Sequence, residues 1–450
     1  MNRMANLPAL VTDLEEARRR LSRRRGFEEP DLSPRMREGV RHVFGADLSA
    51  DQVVQRILVE VRTEGDGAVR RYTAAFDGAS LDGLEVPRER WRGALAGLPD
   101  DLRQAMAVSA DRIAAFHRKQ LRTSWLEWDD DGALGQLVRP LERVGIYTPG
   151  GTAVYPSSLL MTAVPARVAG VGEIVVCTPP GPDGEVSPLI LAAAEVAEAD
   201  RVFAIGGVQA IAAMAYGTES VPHVDKIYGP GNIFVVLAKQ RVYGLVAIDQ
   251  LPGPTETLLV ADDSADAELV AADLIAQAEH DPMATAILLT TSSELAASVL
   301  DEIPRQLAEL ERGEIAGQSL AANGIVAVVP DLATAMDLAN AYAPEHLCLL
   351  LRDPWAAMPL VRHAGGVFVG EDSPEALGDY VTGPSHVMPT GGTARFFSPI
   401  HVGEFTKTIS IAAANHRALA RLGPSAAALA RAEGLSGHAR ALERRLDLQP

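Results

Sequence analysis

The chain has 450 residues, with 41 Lys plus Arg against 59 Asp plus Glu, and so carries a formal charge of −18. At about 150 residues per domain this length allows roughly three structural units, or two with long terminal extensions, and a composition of 47% apolar but only 5% aromatic residues excludes fibre and disorder. The acidic balance repels phosphate backbones and anionic membrane faces, which excludes nucleic acid and lipid as partners and leaves a small molecule.

Residues 1 to about 45 carry the single charge run, Arg18 to Arg25 behind Asp13, Glu15 and Glu16, and are expected to form a solvated helical arm. From about Leu48 to Lys119 the periodicity is helical, with Asp51 placed to cap VVQRILVEVRTEG and a second amphipathic stretch running from Pro99 to Lys119. From Val144 the pattern changes to short β-branched runs, at 144–147, 174–177, 202–205, 226–229 and 245–248. Helical stretches lie between them, after Pro156 and at 187–198, 208–216 and 232–243. Alternation at this spacing predicts parallel βαβ units in an open sheet covered on both faces.

A second series follows: strands at 257–262, 286–291, 325–329, 346–351 and 366–370, with helices from about Asp266 to Glu279 and from about Ser293. The stretch from about 147 to 257 therefore reads as a module inserted into a unit that resumes at about 258. Beyond about Phe397 the β signal fades into an Ala/Arg-rich helical tail. Cys177 and Cys348 are the only cysteines, both inside apolar runs, so neither a disulfide framework nor a CxxC metal site is available. No apolar stretch approaches the roughly 20 residues of a membrane span and the start of the chain shows no signal-peptide pattern, so a cytoplasmic location is expected.

Glycines gather where the strands end: Gly150 and Gly151, Gly206 and Gly207, Gly229 and Gly231. Glycine there lets a phosphate reach backbone N–H groups at a helix start, which makes this module the dinucleotide candidate; ordinary tight turns account for the same residues equally well, since no full GxGxxG occurs. Gln277 and His280 share a helix face ahead of Pro282, a pattern open to metal binding or to a structural His at a helix end. Asp379 and His386 fall seven residues apart in a turn-rich loop. Glu345 and His346 are adjacent after Pro344 at the start of an apolar strand, where acid and imidazole together could move protons near neutral pH or simply be polar loop residues.

The segments YTPGG, YPSSLLM, PARVAGV, GGVQAIAAMAYGTESVP, VDKIYGPGN, GPTE, AQAEHDP, APEHL, GDYVTGPSHVMPTGG and EGLSGHA occur in this order along the chain. Together they resemble the histidinol dehydrogenase family. The resemblance implies an α/β fold of two Rossmann-like open parallel-sheet domains in an aldehyde-dehydrogenase-like arrangement, with helical N- and C-terminal extensions. On this division residues 1–45 are the arm, 46–146 and 258–396 a discontinuous first domain bearing the metal and catalytic residues, 147–257 the inserted NAD-binding domain, and 397–450 the tail. It implies oxidation of L-histidinol to L-histidine through L-histidinal with two NAD⁺ and one Zn²⁺.

Carried onto this chain, the zinc ligands are Gln277, His280, Asp379 and His438; the general base is His346, and Glu345 activates water. Thr255, His386 and Glu433 contact the substrate beside these groups, and Tyr147, Gln209 and Asn232 contact NAD. The resemblance further implies a homodimer whose C-terminal tail crosses to complete the partner's site. Thr255 departs from the family's usual Ser, keeping the hydroxyl and adding a methyl; the lead-in IDQLPG and the Arg-rich start also differ. A dehydrogenase of another small polar alcohol, a zinc hydrolase and a metabolite sensor are the competing functions. NADH formed per histidinol, or cleavage of an ester or amide without any NADH, separates them.

Overall fold

The computed structural model describes residues 7–22, 32–150 and 154–447. Its strands, in chain order, are β1 (Ala9–Val11), β2 (Trp125–Asp129), β3 (Gly132–Pro140), β4 (Arg143–Tyr147), β5 (Glu173–Thr178), β6 (Arg201–Ala204) and β7 (Lys226–Tyr228). They continue as β8 (Ala247–Ile248), β9 (Glu256–Ala261), β10 (Thr285–Thr290), β11 (Ile325–Val328), β12 (His346–Leu350), β13 (Gly366–Val369) and β14 (Thr406–Ala414). One sheet has the order β6-β5-β4-β7-β8 and another β1-β11-β10-β9-β12-β13; every pairing in both is parallel. The expected α/β class with two open parallel sheets is what the chain forms.

In both sheets the first strand of the series lies centrally. β4 is flanked by β5 and β7, and β9 by β10 and β12, so each sheet has a point where successive connections diverge and a crevice opens. The strands are buried on both faces because helices cover both. Val175 and Cys177 enter one apolar cluster with Val54, Ile57 and Ile211; Ile174 and Val176 enter another with Trp91, Ile113 and Leu159. This period of two within one continuous apolar run is the signature of a central parallel strand. All four residues are fully buried, and truncating Ile174 to Ala costs about 2–5 kcal/mol at such a site.

Four expectations are corrected. The helices Ala50–Glu64 and Asp100–Arg118 belong by packing with the 143–248 sheet and not with the later one, because their apolar stripes supply Val54, Ile57 and Ile113 to the two clusters just named. Ser49, not Asp51, caps the first of these helices in a full capping box with Gln52; Asp51 instead pairs with Arg241. The N-terminal arm begins with a strand: β1 lies parallel to β11 and buries Val11 in the core, while Arg18 to Ser22 end the helix Leu14–Ser22 and the remainder of the charge run lies outside the described residues.

The fourth correction concerns the tail. β14 pairs along nine residues with β3, which also pairs with β2, in an antiparallel sheet. Seven of the nine β14 residues are exposed in the single chain, so no apolar alternation marks it. Two helices follow, His416–Ala432 and Ser436–Asp447. Among the described residues no helix is long and apolar enough to cross a membrane.

Candidate active site

The site forms where the amino ends of β9 and β12 meet the loop around residues 379–392 and the helix Pro156–Ala169, which rises beyond the carboxyl end of β4. Ser158 of that helix lies 3.0 Å from His386 Nε2, and the Ser385 hydroxyl donates to the Met161 carbonyl. The centre therefore sits between the amino ends of one sheet and the carboxyl ends of the other.

The chain reaches β12 from the helix Leu332–Tyr342 through Ala343 at φ +57°, a left-handed conformation that costs an alanine about 1–2 kcal/mol. That turn sets Glu345 and His346 at the strand's start, both buried. Glu345 Oε2 accepts from the Thr255 hydroxyl at 2.7 Å and from the Glu256 N–H at 3.0 Å. Burial pushes the Glu345 carboxyl up to about 7, opposed by the neighbouring imidazole and these hydrogen bonds. His346 Nδ1 lies 3.0 Å from the Glu256 carbonyl oxygen, a contact that requires Nδ1 to carry the proton. Its Nε2 is buried without a hydrogen-bond partner among the described residues and faces Asp379 Oδ1 at 3.9 Å. An imidazole whose Nδ1 carries the proton and whose Nε2 is left as a free acceptor has the arrangement a general base needs.

Glu375 is a site residue that sequence reasoning missed. Its carboxylate lies 3.6 Å from His346 Nδ1, and burial pushes it well above the usual carboxylate range, with Asp379 adding to the rise. The available signal was its spacing four residues before Asp379, which puts both acids on one face of the helix Glu375–Tyr380.

Thr255 links two predicted positions. Its hydroxyl donates to Glu345 and accepts from Gln277 Nε2 at 2.8 Å. Gln277 is fully buried and its Oε1, turned the other way, has no partner among the described residues. His280 follows just beyond the helix Ala267–Ala278. The residue as a whole is exposed, yet desolvation of its imidazole holds it below the usual value, against the pull of Asp379. His386 is held low by burial too, its Nδ1 lying 2.7 Å from the Asp379 carbonyl oxygen.

The structure thus brings Thr255, Gln277, Glu345, His346, Asp379 and His386 together, with His280 at the rim. It leaves Glu433 and His438 exposed on the tail, with no hydrogen bond or ion pair to the site among the described residues. An orphaned carboxamide oxygen, an imidazole kept neutral and a carboxylate suit a divalent cation. Among the described residues of one chain, however, no three His, Cys, Asp or Glu side chains are grouped to hold one.

The glycine-rich turns lie across the crevice. Tyr147 ends β4 and its hydroxyl accepts from the Gly207 N–H at 3.1 Å. Gln209 is buried with both carboxamide atoms unpartnered among the described residues, and Asn232 caps the helix Ile233–Val242. Gly151 lies outside the described residues. Cys177 and Cys348 are buried, and desolvation pushes both thiols far above their ordinary value, so neither can serve as a thiolate nucleophile.

Two parallel sheets beside a buried acid–imidazole pair define an α/β protein with side chains suited to proton transfer. The family model for histidinol dehydrogenase matches residues 44–446. Histidinol dehydrogenase from Deinococcus radiodurans is 54% identical over 96% of this chain and 99% of its own length, and that from Thermus thermophilus is 53% identical over 90% and 97%. The crystal structure of histidinol dehydrogenase from Elizabethkingia anophelis matches with a TM-score of 0.89 at 33% identity, covering 98% of each chain. The chain belongs to the histidinol dehydrogenase family.

Proposed function

We propose that this protein oxidises L-histidinol to L-histidine through L-histidinal, passing two hydrides to two NAD⁺ at one site. The observation that carries this reading is the Glu345–His346 pair, in which a buried acceptor nitrogen and a carboxyl group near neutrality stand side by side. His346 Nε2 accepts the hydroxyl proton as the carbinol C–H leaves as hydride. Ionised Glu345 then takes a proton from water, whose oxygen bonds to the aldehyde carbon while protonated His346 returns its proton to the former carbonyl oxygen, which leaves the gem-diol and a neutral His346. His346 accepts a proton again as the resulting gem-diol loses the second hydride. Its Nδ1–H donates to the Glu256 carbonyl oxygen throughout, which keeps the same nitrogen presented for both transfers.

Gln277, His280 and Asp379, with His438 of the partner subunit, would hold Zn²⁺, which when bound anchors the substrate's imidazole and amino nitrogens. Thr255, His386 and Glu433 of the partner subunit complete the pocket, and Tyr147, Gln209 and Asn232 line the NAD⁺ crevice. A homodimer with exchanged tails is supported by the apolar surface that one chain leaves open on its antiparallel sheet and tail. Trp128 is 71% and Leu134 62% exposed on neighbouring strands of that sheet, and Leu429 is 67% exposed on the tail. Two buried free thiols fit the cytoplasm.

Purified protein with L-histidinol is expected to yield two NADH per histidinol at 340 nm. A yield of one, or activity on other alcohols alone, contradicts the reading. Stripping the protein with a chelator is expected to lower turnover more than about 100-fold through loss of substrate positioning, with NAD⁺ affinity unchanged and activity restored by Zn²⁺. Undiminished turnover after metal removal speaks against the metal.

A further inference from the structure

The buried pair Lys239–Asp249 belongs to none of the roles above. Lys239 is fully buried and the Asp249 carboxylate is 4% exposed. Lys239 Nζ donates to Asp249 Oδ1 and, at 2.9 Å, to the Gly229 carbonyl oxygen. Asp249 Oδ2 accepts from the Gly229 N–H at 2.8 Å. One glycine is therefore held at both its N–H and its C=O by two ions that are bonded to each other.

Gly229 opens the turn Gly229–Pro230–Gly231–Asn232, between the end of β7 and the helix on which Lys239 sits. Its φ is +113°, and a Cβ there would fall 1.9 Å from the Tyr147 carbonyl oxygen. The turn thus lies directly on the end of β4, at the point where the connections of this sheet diverge. Desolvating two charges costs several kcal/mol per ion, so a buried ion pair is weak grounds for stability and apolar residues often serve as well. Among the described residues every hydrogen bond of Lys239 Nζ, and all but one of the Asp249 carboxylate's, falls on Gly229 or on the partner ion, the exception being the Gln250 N–H at 2.6 Å.

We infer that Lys239 and Asp249 are positioning residues for NAD⁺: they fix the Gly229–Asn232 turn in the conformation that receives the dinucleotide, a role that rests on the proposed placement of NAD⁺ in this crevice. They act through the turn and touch neither histidinol nor the metal donors.

The test is the double variant Lys239→Met with Asp249→Leu, which replaces both ions by apolar groups of similar volume and leaves no unpaired charge. It leaves the Gly229 N–H and C=O and the Gln250 N–H without these partners, so the melting temperature is expected to fall, while the Kd and KM for NAD⁺ rise about tenfold or more, as displacement of a positioning element does. KM for histidinol and zinc content stay unchanged. Asp249→Asn, which keeps the volume, is expected to give the same split. NAD⁺ affinity within twofold of the parent overturns the inference, as does a parallel rise in KM for both substrates. If neither variant folds, the pair is a folding element and the inference falls. Gln209→Ala is the control for the crevice itself. Silent pair variants beside an affected control overturn the positioning role alone, whereas silence in all of them overturns the NAD⁺ placement as well.

Discussion

Replacing Glu345 by Gln is expected to leave oxidation of histidinol to the aldehyde nearly intact and to slow oxidation of the aldehyde by about 10²–10⁴-fold, the range a positioned general base supplies. The carboxamide matches the carboxylate in shape, so its oxygen can still accept from the Thr255 hydroxyl and the Glu256 N–H that hold Oε2 in the parent. What it loses is the capacity to take a proton from water. His346 keeps its Nδ1 contact to the Glu256 carbonyl and with it the alcohol step. In a single-turnover experiment the NADH formed per histidinol should fall from two to one as aldehyde accumulates. Equal slowing of both halves contradicts the separate roles.

The same residue sets a pH signature. Burial raises the Glu345 carboxyl to about 7, and only its ionised form activates water. In the parent the aldehyde step, followed with supplied L-histidinal, should therefore climb as pH rises through about 7 and flatten above it. That limb should vanish in the Gln variant, and a limb that survives belongs to another group.

Legibility in the sequence followed the range of the interactions involved. The central strands could be read because each is a continuous apolar run buried on both faces, as at Ile174 to Cys177. β14 could not, since most of its side chains face out of the single chain and its register depends on β3, some 270 positions earlier by the Thr406–Pro140 and Ala414–Gly132 pairings. The partner sheet of the helices from Ala50 to Arg118 was equally hidden, because an amphipathic stripe states that a face is buried without stating against what. At the site, Glu345 and His346 were visible as neighbours, but the tautomer depends on the Glu256 carbonyl, 90 residues away. The Thr255 bridge between Glu345 and Gln277 likewise exists only once β9, β12 and the helix Ala267–Ala278 are packed. Glu375 went unread because its spacing to Asp379 shows a shared helix face but not that the face is buried against His346.

The proposed tail exchange predicts the largest effect of all, and a mixing experiment reads it. On the proposed exchange the partner brings His438 to the donor set and Glu433 to the substrate pocket, both of which one chain leaves exposed and outside its own site. His346→Asn should lose about 10²–10⁴-fold in activity as a lost general base, and His438→Ala about 10²-fold or more as a lost positioning ligand. Co-expressed with different tags and isolated as the mixed dimer, the two inactive chains form two unlike sites. One combines the His346→Asn body with the His438→Ala tail and is dead. The other combines an intact body with the intact tail of its neighbour and is whole. The mixed dimer should therefore regain about half of the parent's activity by the symmetry of the exchange, from two parents with almost none. If each tail instead served its own body, both sites would carry one lesion and the mixed dimer would stay inactive.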